Sequence, residues 1–142
     1  MQKMIIPVVG LVNEKNEILL ASRKKGAFKA GKLELPGGKM DAGEYPKDTA
    51  IREMKEELGV EIAPENLEET TFICNAFPEI ERFCVVLVYL CKKWQGEPQG
   101  LEGQTLRWVT LTEIETAFPD FLEENEEMLL RVKNLGIKKP AC

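Results

Sequence analysis

An α/β sandwich, with a mixed sheet held between helices, is the fold class that three features of this sequence predict. Met4 to Val12, Glu17 to Arg23, Thr70 to Phe77, Phe83 to Lys92 and Leu106 to Leu111 are apolar runs of strand length. Pro46 to Leu58 has the spacing and the end signals of an amphipathic helix, and Phe121 to Leu135 repeats its apolar residues at helical intervals. Strands and helices interspersed along 142 residues, with no repeat, low-complexity tract or linker, give one domain spanning residues 1–142.

The first two runs are separated by the turn-prone Asn13-Glu14-Lys15-Asn16 and read as a hairpin, with Ile18, Leu19 and Leu20 buried. Arg23, Lys24 and Lys25 close the second strand in a basic turn, open to two readings, a solvated turn or a phosphate-facing one. Lys32-Leu33-Glu34-Leu35 reads as a short strand, and Pro36-Gly37-Gly38 after it allows close backbone approach. Pro46 suits a first helical turn because its missing N–H has no partner there, and Gly59 closes the helix in the left-handed conformation. Ala50, Ile51, Met54 and Leu58 fall on the packing stripe of that helix. Phe83 to Lys92 reads as a strand buried on both faces, Trp94 to Gln104 as a Gly- and Pro-containing loop. Thr112 is expected to cap a short helix through Phe118, and Leu122, Met128, Leu129, Val132 and Leu135 form the apolar side of the last one. The tail from Lys138 to Cys142 is expected to be loose.

Composition narrows the function. A formal charge of −5 and a pI near 5.0 argue against binding the backbone of DNA or RNA. Cys74, Cys84, Cys91 and Cys142 lack C-x-x-C spacing and read as reduced thiols, and without histidine a Cys/His zinc site, a Ser-His-Asp triad and histidine-phosphatase chemistry are all excluded. A general base is then a carboxylate. The run from Met4 to Val12 is too short to span a bilayer, so the cytoplasm is the default compartment and no membrane partner is expected.

The carboxylates gather on one helix. Glu53, Glu56 and Glu57 share a face at i, i+3 and i+4, where each repulsive pair costs roughly 0.2–0.5 kcal/mol and the last turn disfavours negative charge. Arg52 reaches Glu56 in the weaker basic-before-acidic order, and Lys55 has no acid three or four residues away. A solvated surface is the bland reading of such a face, and its energetics oppose it. Oxygen-only donors suit a hard cation, and magnesium in particular is held by a few carboxylates together with substrate phosphates.

Gly38, five residues, Glu44, seven residues, Arg52-Glu53-Met54, one residue, Glu56-Glu57, one residue, Gly59-Val60 resembles the Nudix box without departure. At average residue usage such a pattern arises by chance on the order of once in a million chains. The resemblance implies a Nudix-type α/β/α sandwich with a mixed central sheet and hydrolysis of a nucleoside diphosphate linked to another group. Arg23, Lys32 to Lys39, Phe77-Pro78, Trp94 to Gln104, Phe118-Pro119 and Asn125-Glu126 are similar to the MutT branch. The spacing departs around Arg82 and before Asn125, and Phe28 stands where a histidine is expected.

That resemblance implies magnesium, with manganese able to substitute, on the Gly37 carbonyl, Glu53, Glu56, Glu57 and Glu102. Glu53 is the first choice of base and Glu102 its rival; Glu44 and Arg52 would orient Glu53. Arg23 and Lys39 would neutralise phosphate charge, while Asn125, with Phe77 nearby, would read the base; Asn125 has the competing reading of a helix N-cap. Implied is conversion of an oxidised purine nucleoside triphosphate such as 8-oxo-dGTP to the monophosphate and pyrophosphate. The competing readings are a Nudix hydrolase for a pyrimidine triphosphate, ADP-ribose or a dinucleotide, and a nucleotide-binding regulator without catalysis. The expected partner is a small nucleotide, with no nucleic-acid polymer, and a monomer is expected with a dimer left open.

Overall fold

A computed structural model describes residues 1–26, 30–116 and 128–132. Strand β1 (Gln2–Leu11) runs parallel to β5 (Arg82–Cys91), and β4 (Leu67–Phe77) pairs antiparallel with the other edge of β5. A bulge at Glu69–Thr71 interrupts β4. A smaller antiparallel sheet has β2 (Ile18–Ser22) at its centre, between β3 (Leu33–Glu34) and β6 (Leu106–Val109).

The hairpin expected of β1 and β2 is reduced to one bridge, Val12 to Ile18, around a turn in which Asn16 takes a left-handed φ of 59°. The physical reason is competition for the edge of β1. The Val9 N–H donates to the Pro36 carbonyl at 2.9 Å and the Gly38 N–H to the Pro7 carbonyl at 3.2 Å, so the segment after β3 occupies that edge and β2 turns away into the second sheet. Gly37 is obligatory in this seam, since a Cβ there would collide with the Pro7 carbonyl and Val8.

Helix α1 spans Pro46–Leu58, as its end signals predict. Asp48 accepts the Tyr45 N–H at 2.9 Å, and Gly59, at φ 71°, donates to the Lys55 carbonyl at 3.0 Å. Ala50, Met54 and Leu58 are buried against Val9, Leu11, Leu19, Tyr89 and Cys91, whereas Ile51 is only half-buried. The alternate residues of the same strands, Val8, Val86, Val88 and Leu90, point the other way and pack with Met128, Leu129 and Val132 of the helical stretch 128–132. Helices on both faces of a mixed sheet make the expected sandwich. β5 is buried on both faces only from Val88 to Cys91; its first half alternates.

Helix α2 (Leu111–Thr116) starts earlier than expected, because Thr110 and not Thr112 is its cap. Thr110 Oγ1 accepts the Glu113 N–H at 3.2 Å while the Glu113 carboxylate accepts the Thr110 N–H at 2.8 Å. Both threonines have a glutamate three residues on, but only Thr110 is flanked by the fully buried pair Val109 and Ile114 that staples a helix start. Cys84 and Cys91 are buried thiols and Cys74 an exposed one. Among the described residues no helix is long and apolar enough to cross a membrane. Phe28, the Phe118-Pro119 break, Asn125 and Cys142 lie outside the described residues.

Candidate active site

The seam between β1 and Pro36 to Gly38 delivers the glycines to the acidic face of α1. Its two bonds use the Pro36 carbonyl and the Gly38 N–H, so the Gly37 carbonyl is directed away from β1. A Cβ on Gly38 would stand 2.5 Å from Glu53 Oε1. Glycine there leaves the carboxylate its place against the backbone.

Arg52 organises one end of the face. Its Nε and Nη2 donate to the two oxygens of Glu44 at 2.8 and 3.0 Å, and its Nη1 donates to Glu53 at 3.0 Å and Glu56 at 3.2 Å. Nη2 also donates to the Lys39 carbonyl at 3.2 Å and lies 3.4 Å from Asp41. Besides the Glu56 contact, Arg52 touches Glu44 and Glu53, the two carboxylates that the resemblance sets beside it. Glu44 accepts the Asp41 N–H and the Thr49 hydroxyl too, and the Arg52 hydrogen bond foremost holds its carboxyl down at about 2. Lys55 finds an acid after all, Glu61 at 3.7 Å across the Gly59 turn.

The other end is built by the loop from Trp94 to Gln104. Its Gln99 N–H donates to the Leu58 carbonyl and its Leu101 N–H to the Glu57 carbonyl, each at 3.0 Å, satisfying free carbonyls at the end of α1. Glu102 follows directly, so it stands beside Glu57 although forty-five positions separate them in the chain. Burial, then the charges of Glu53 and Glu102, push the Glu57 carboxyl up to about 8. Lys24 Nζ lies 2.7 Å from Glu102 Oε2, and this hydrogen bond raises the Lys24 pKa. Both partners are partly exposed, so the pair stabilises by only about 0–1 kcal/mol.

Arg23 and Phe77, placed by sequence in a phosphate and a base role, share one cavity of about 160 Å³ with Ile6, Val8, Glu34 and Asn75. Arg23 Nη1 pairs with Glu34 at 3.2 Å. Sequence reading missed Glu34 and Asn75 as wall residues; the signal available for Glu34 was a single acid in a two-residue strand, next to the Gly-Gly segment. The Lys39 ammonium makes no contact with the carboxylates among the described residues; its side chain lines a cleft with Gln2, Lys3 and Met4.

Among the described residues no three acidic or thiol side chains converge as a ready-made metal cage. An oxygen-only face on which burial and then neighbouring carboxylates raise the Glu57 pKa still fits magnesium, which keeps waters and completes its shell on substrate phosphates.

A sandwich with this glutamate helix at its surface defines a class, and the NUDIX domain matches residues 1–132. The chain belongs to the Nudix family and is a Nudix hydrolase. It is 36% identical to the 8-oxo-dGTP diphosphatase of Escherichia coli K12, over 95% of this chain and 100% of that one. It is 35% identical to the 8-oxo-dGTP diphosphatase of Haemophilus influenzae, over 94% and 96%. The crystal structure of a MutT NUDIX hydrolase from Burkholderia pseudomallei superposes with a TM-score of 0.77 at 27% identity, covering 93% of this chain and 99% of that one.

Proposed function

We propose that this Nudix hydrolase is a MutT-type pyrophosphohydrolase that converts an oxidised purine nucleoside triphosphate, with 8-oxo-dGTP as the type substrate, to the monophosphate and pyrophosphate. The observation that carries the reading is the junction at Arg23 and Lys24: one lines the Phe77 cavity, the other touches Glu102 of the carboxylate face. A base in the cavity would therefore present its phosphates to the glutamates. Likeness to named 8-oxo-dGTP diphosphatases over nearly the whole chain supports it.

The Gly37 carbonyl, Glu53, Glu56, Glu57 and Glu102 would hold magnesium, or manganese in its stead. When bound, such an ion polarises phosphoryl oxygens and lowers the pKa of water. Glu53, held by Arg52 Nη1, would take the proton from the attacking water; Glu102, in the more exposed loop, is the second candidate. Arg52 is itself fixed by Glu44, so these two act by orienting Glu53. Arg23 neutralises the phosphate nearest the nucleoside, and Lys39 reaches the outer phosphates by turning its exposed side chain. Phe77 packs against the base. Asn125, outside the described residues, is the proposed reader of its edge, since an amide both donates and accepts.

Oxidation at C8 turns N7 from acceptor to donor, and an unpaired buried group costs roughly 1–3 kcal/mol. The expected kcat/KM for 8-oxo-dGTP therefore exceeds that for dGTP by more than ~10²-fold, with several contacts contributing and most of the difference in KM. Asn125→Ala is expected to shrink the ratio without altering metal dependence. Steady-state kinetics on both nucleotides decide it: equal values in the parent reject the substrate, and an unchanged ratio in the variant rejects Asn125.

A further inference from the structure

Resting on the reading that Glu102 belongs to the metal-binding face, we propose that Lys24 is an exchangeable counter-ion. Its ammonium holds Glu102 in the metal-free protein, yields that carboxylate to the incoming divalent cation, and is thereby freed to bind a phosphate of the substrate.

The ion pair is not what places Glu102. The backbone bonds from Gln99 and Leu101 to the end of α1 already anchor the loop, so the Lys24 contact of 2.7 Å is additional to the loop's architecture. Its two side chains are 50% and 36% exposed, and an exposed pair of this kind yields readily to a divalent ion. The charges are divided along the face. Arg52 serves Glu44, Glu53 and Glu56, whereas Lys24 touches Glu102 and also feels Glu57 and Glu53 through space. Lys24 thus stands for positive charge at the end of the face that Arg52 does not reach.

Position supplies the second half of the exchange. Arg23 lines the Phe77 cavity and Lys24 follows it, so a triphosphate running from cavity to carboxylates must pass the Lys24 ammonium. Its four-carbon stem lets a compact charge swing from one oxygen to another without backbone movement, which a planar guanidinium does less freely.

Titration of the full chain with Mn²⁺ alone, with free Mn²⁺ followed by electron paramagnetic resonance, tests the first half. Lys24→Gln is expected to tighten Mn²⁺ binding about fivefold, the equilibrium factor of one exposed ion pair, against under about twofold for Lys25→Gln, which removes the same charge one residue along. Lys24→Arg should bind Mn²⁺ as the parent does, and Lys24→Gln should have no effect in an Glu102→Gln background. Nucleotide kinetics at saturating metal test the second half: Lys24→Gln is expected to raise KM about tenfold with kcat little changed. Equal Mn²⁺ affinities for Lys24→Gln and Lys25→Gln, or an unchanged KM, overturn the proposal. If Glu102→Gln itself leaves Mn²⁺ affinity untouched, the assignment of Glu102 to the metal face falls and the exchange with it.

Discussion

Arg52 grips both carboxylate oxygens of Glu44, at 2.8 and 3.0 Å, and so ties the loop before α1 to the turn of the helix that carries Glu53. The linkage sign follows from the Glu44 carboxyl at about 2, below the ordinary 4.5. Its stabilisation is fully present above pH 4.5 and is lost as the pH falls through 2. Glu44→Gln should therefore be less stable than the parent at neutral pH, with the gap closing on acidification. Urea unfolding across that range checks it; a gap that stays constant to pH 2 would mean the carboxylate charge contributes nothing.

Removing the proposed base is expected to cost rate and not fold. Glu53→Gln should lower kcat by at least ~10³-fold, the scale of one preorganised catalytic contact. An amide can still accept the Arg52 Nη1 hydrogen bond, so unfolding should shift little. Retention of more than a tenth of the parent kcat would transfer the role of base to Glu102.

Gly38→Ala tests the seam. The new methyl must push Glu53 aside, because it would lie 2.5 Å from Oε1, and a displacement near 1 Å can cost on the order of 10² in rate. The methyl meets only the carboxylate end of a flexible side chain, which can shift at the expense of its Arg52 contact, so stability should change by less than about 1 kcal/mol. Full activity in this variant would show that the position of Glu53 tolerates such a shift.

Glu57 carries the burden that Arg52 does not relieve. Burial and two carboxylate neighbours hold the Glu57 carboxyl at about 8, so Glu57→Gln should stabilise the metal-free protein above pH 4.5, where the unfolded carboxyl ionises, with a gain that grows as the pH rises towards 8. Thermal unfolding in EDTA reads the effect directly. Destabilisation there would mean that Glu57 is paired structurally, and the reading of the face as a cation site would lose its main support.

Helix α1 was legible to the residue because proline, glycine and the apolar stripe all act locally. Strand positions were legible for the same reason. Their pairing was not: the choice of β1 for Pro36 to Gly38 over β2 depends on a close approach that only the assembled sheet defines. At the site, the box residues follow from one helix and one glycine pair. The junction of Glu102 with Lys24 joins segments remote in sequence, and that of Arg23 with Glu34 depends on the register of β2 on β3, so no local pattern encodes either. Thr110 shows a signal present but ambiguous, since Thr112 has the same acid at the same offset and only the burial of Val109 and Ile114 decides between them.

The parallel register of β1 on β5 sets Gln2 opposite Arg82. A ribosome must therefore complete most of the chain before the first strand can find its main partner, and the closure of so large a loop carries an entropic cost before any pairing repays it. Glu102 emerges later still. Until β5 is made the α1 segment has no complete sheet to pack on, and a charged helix of 13 residues is marginal alone, so the proposed catalytic surface comes into being only after nearly every residue has been made. Refolding from denaturant should then recover activity no faster than it recovers β1–β5 pairing, however early the helix itself forms.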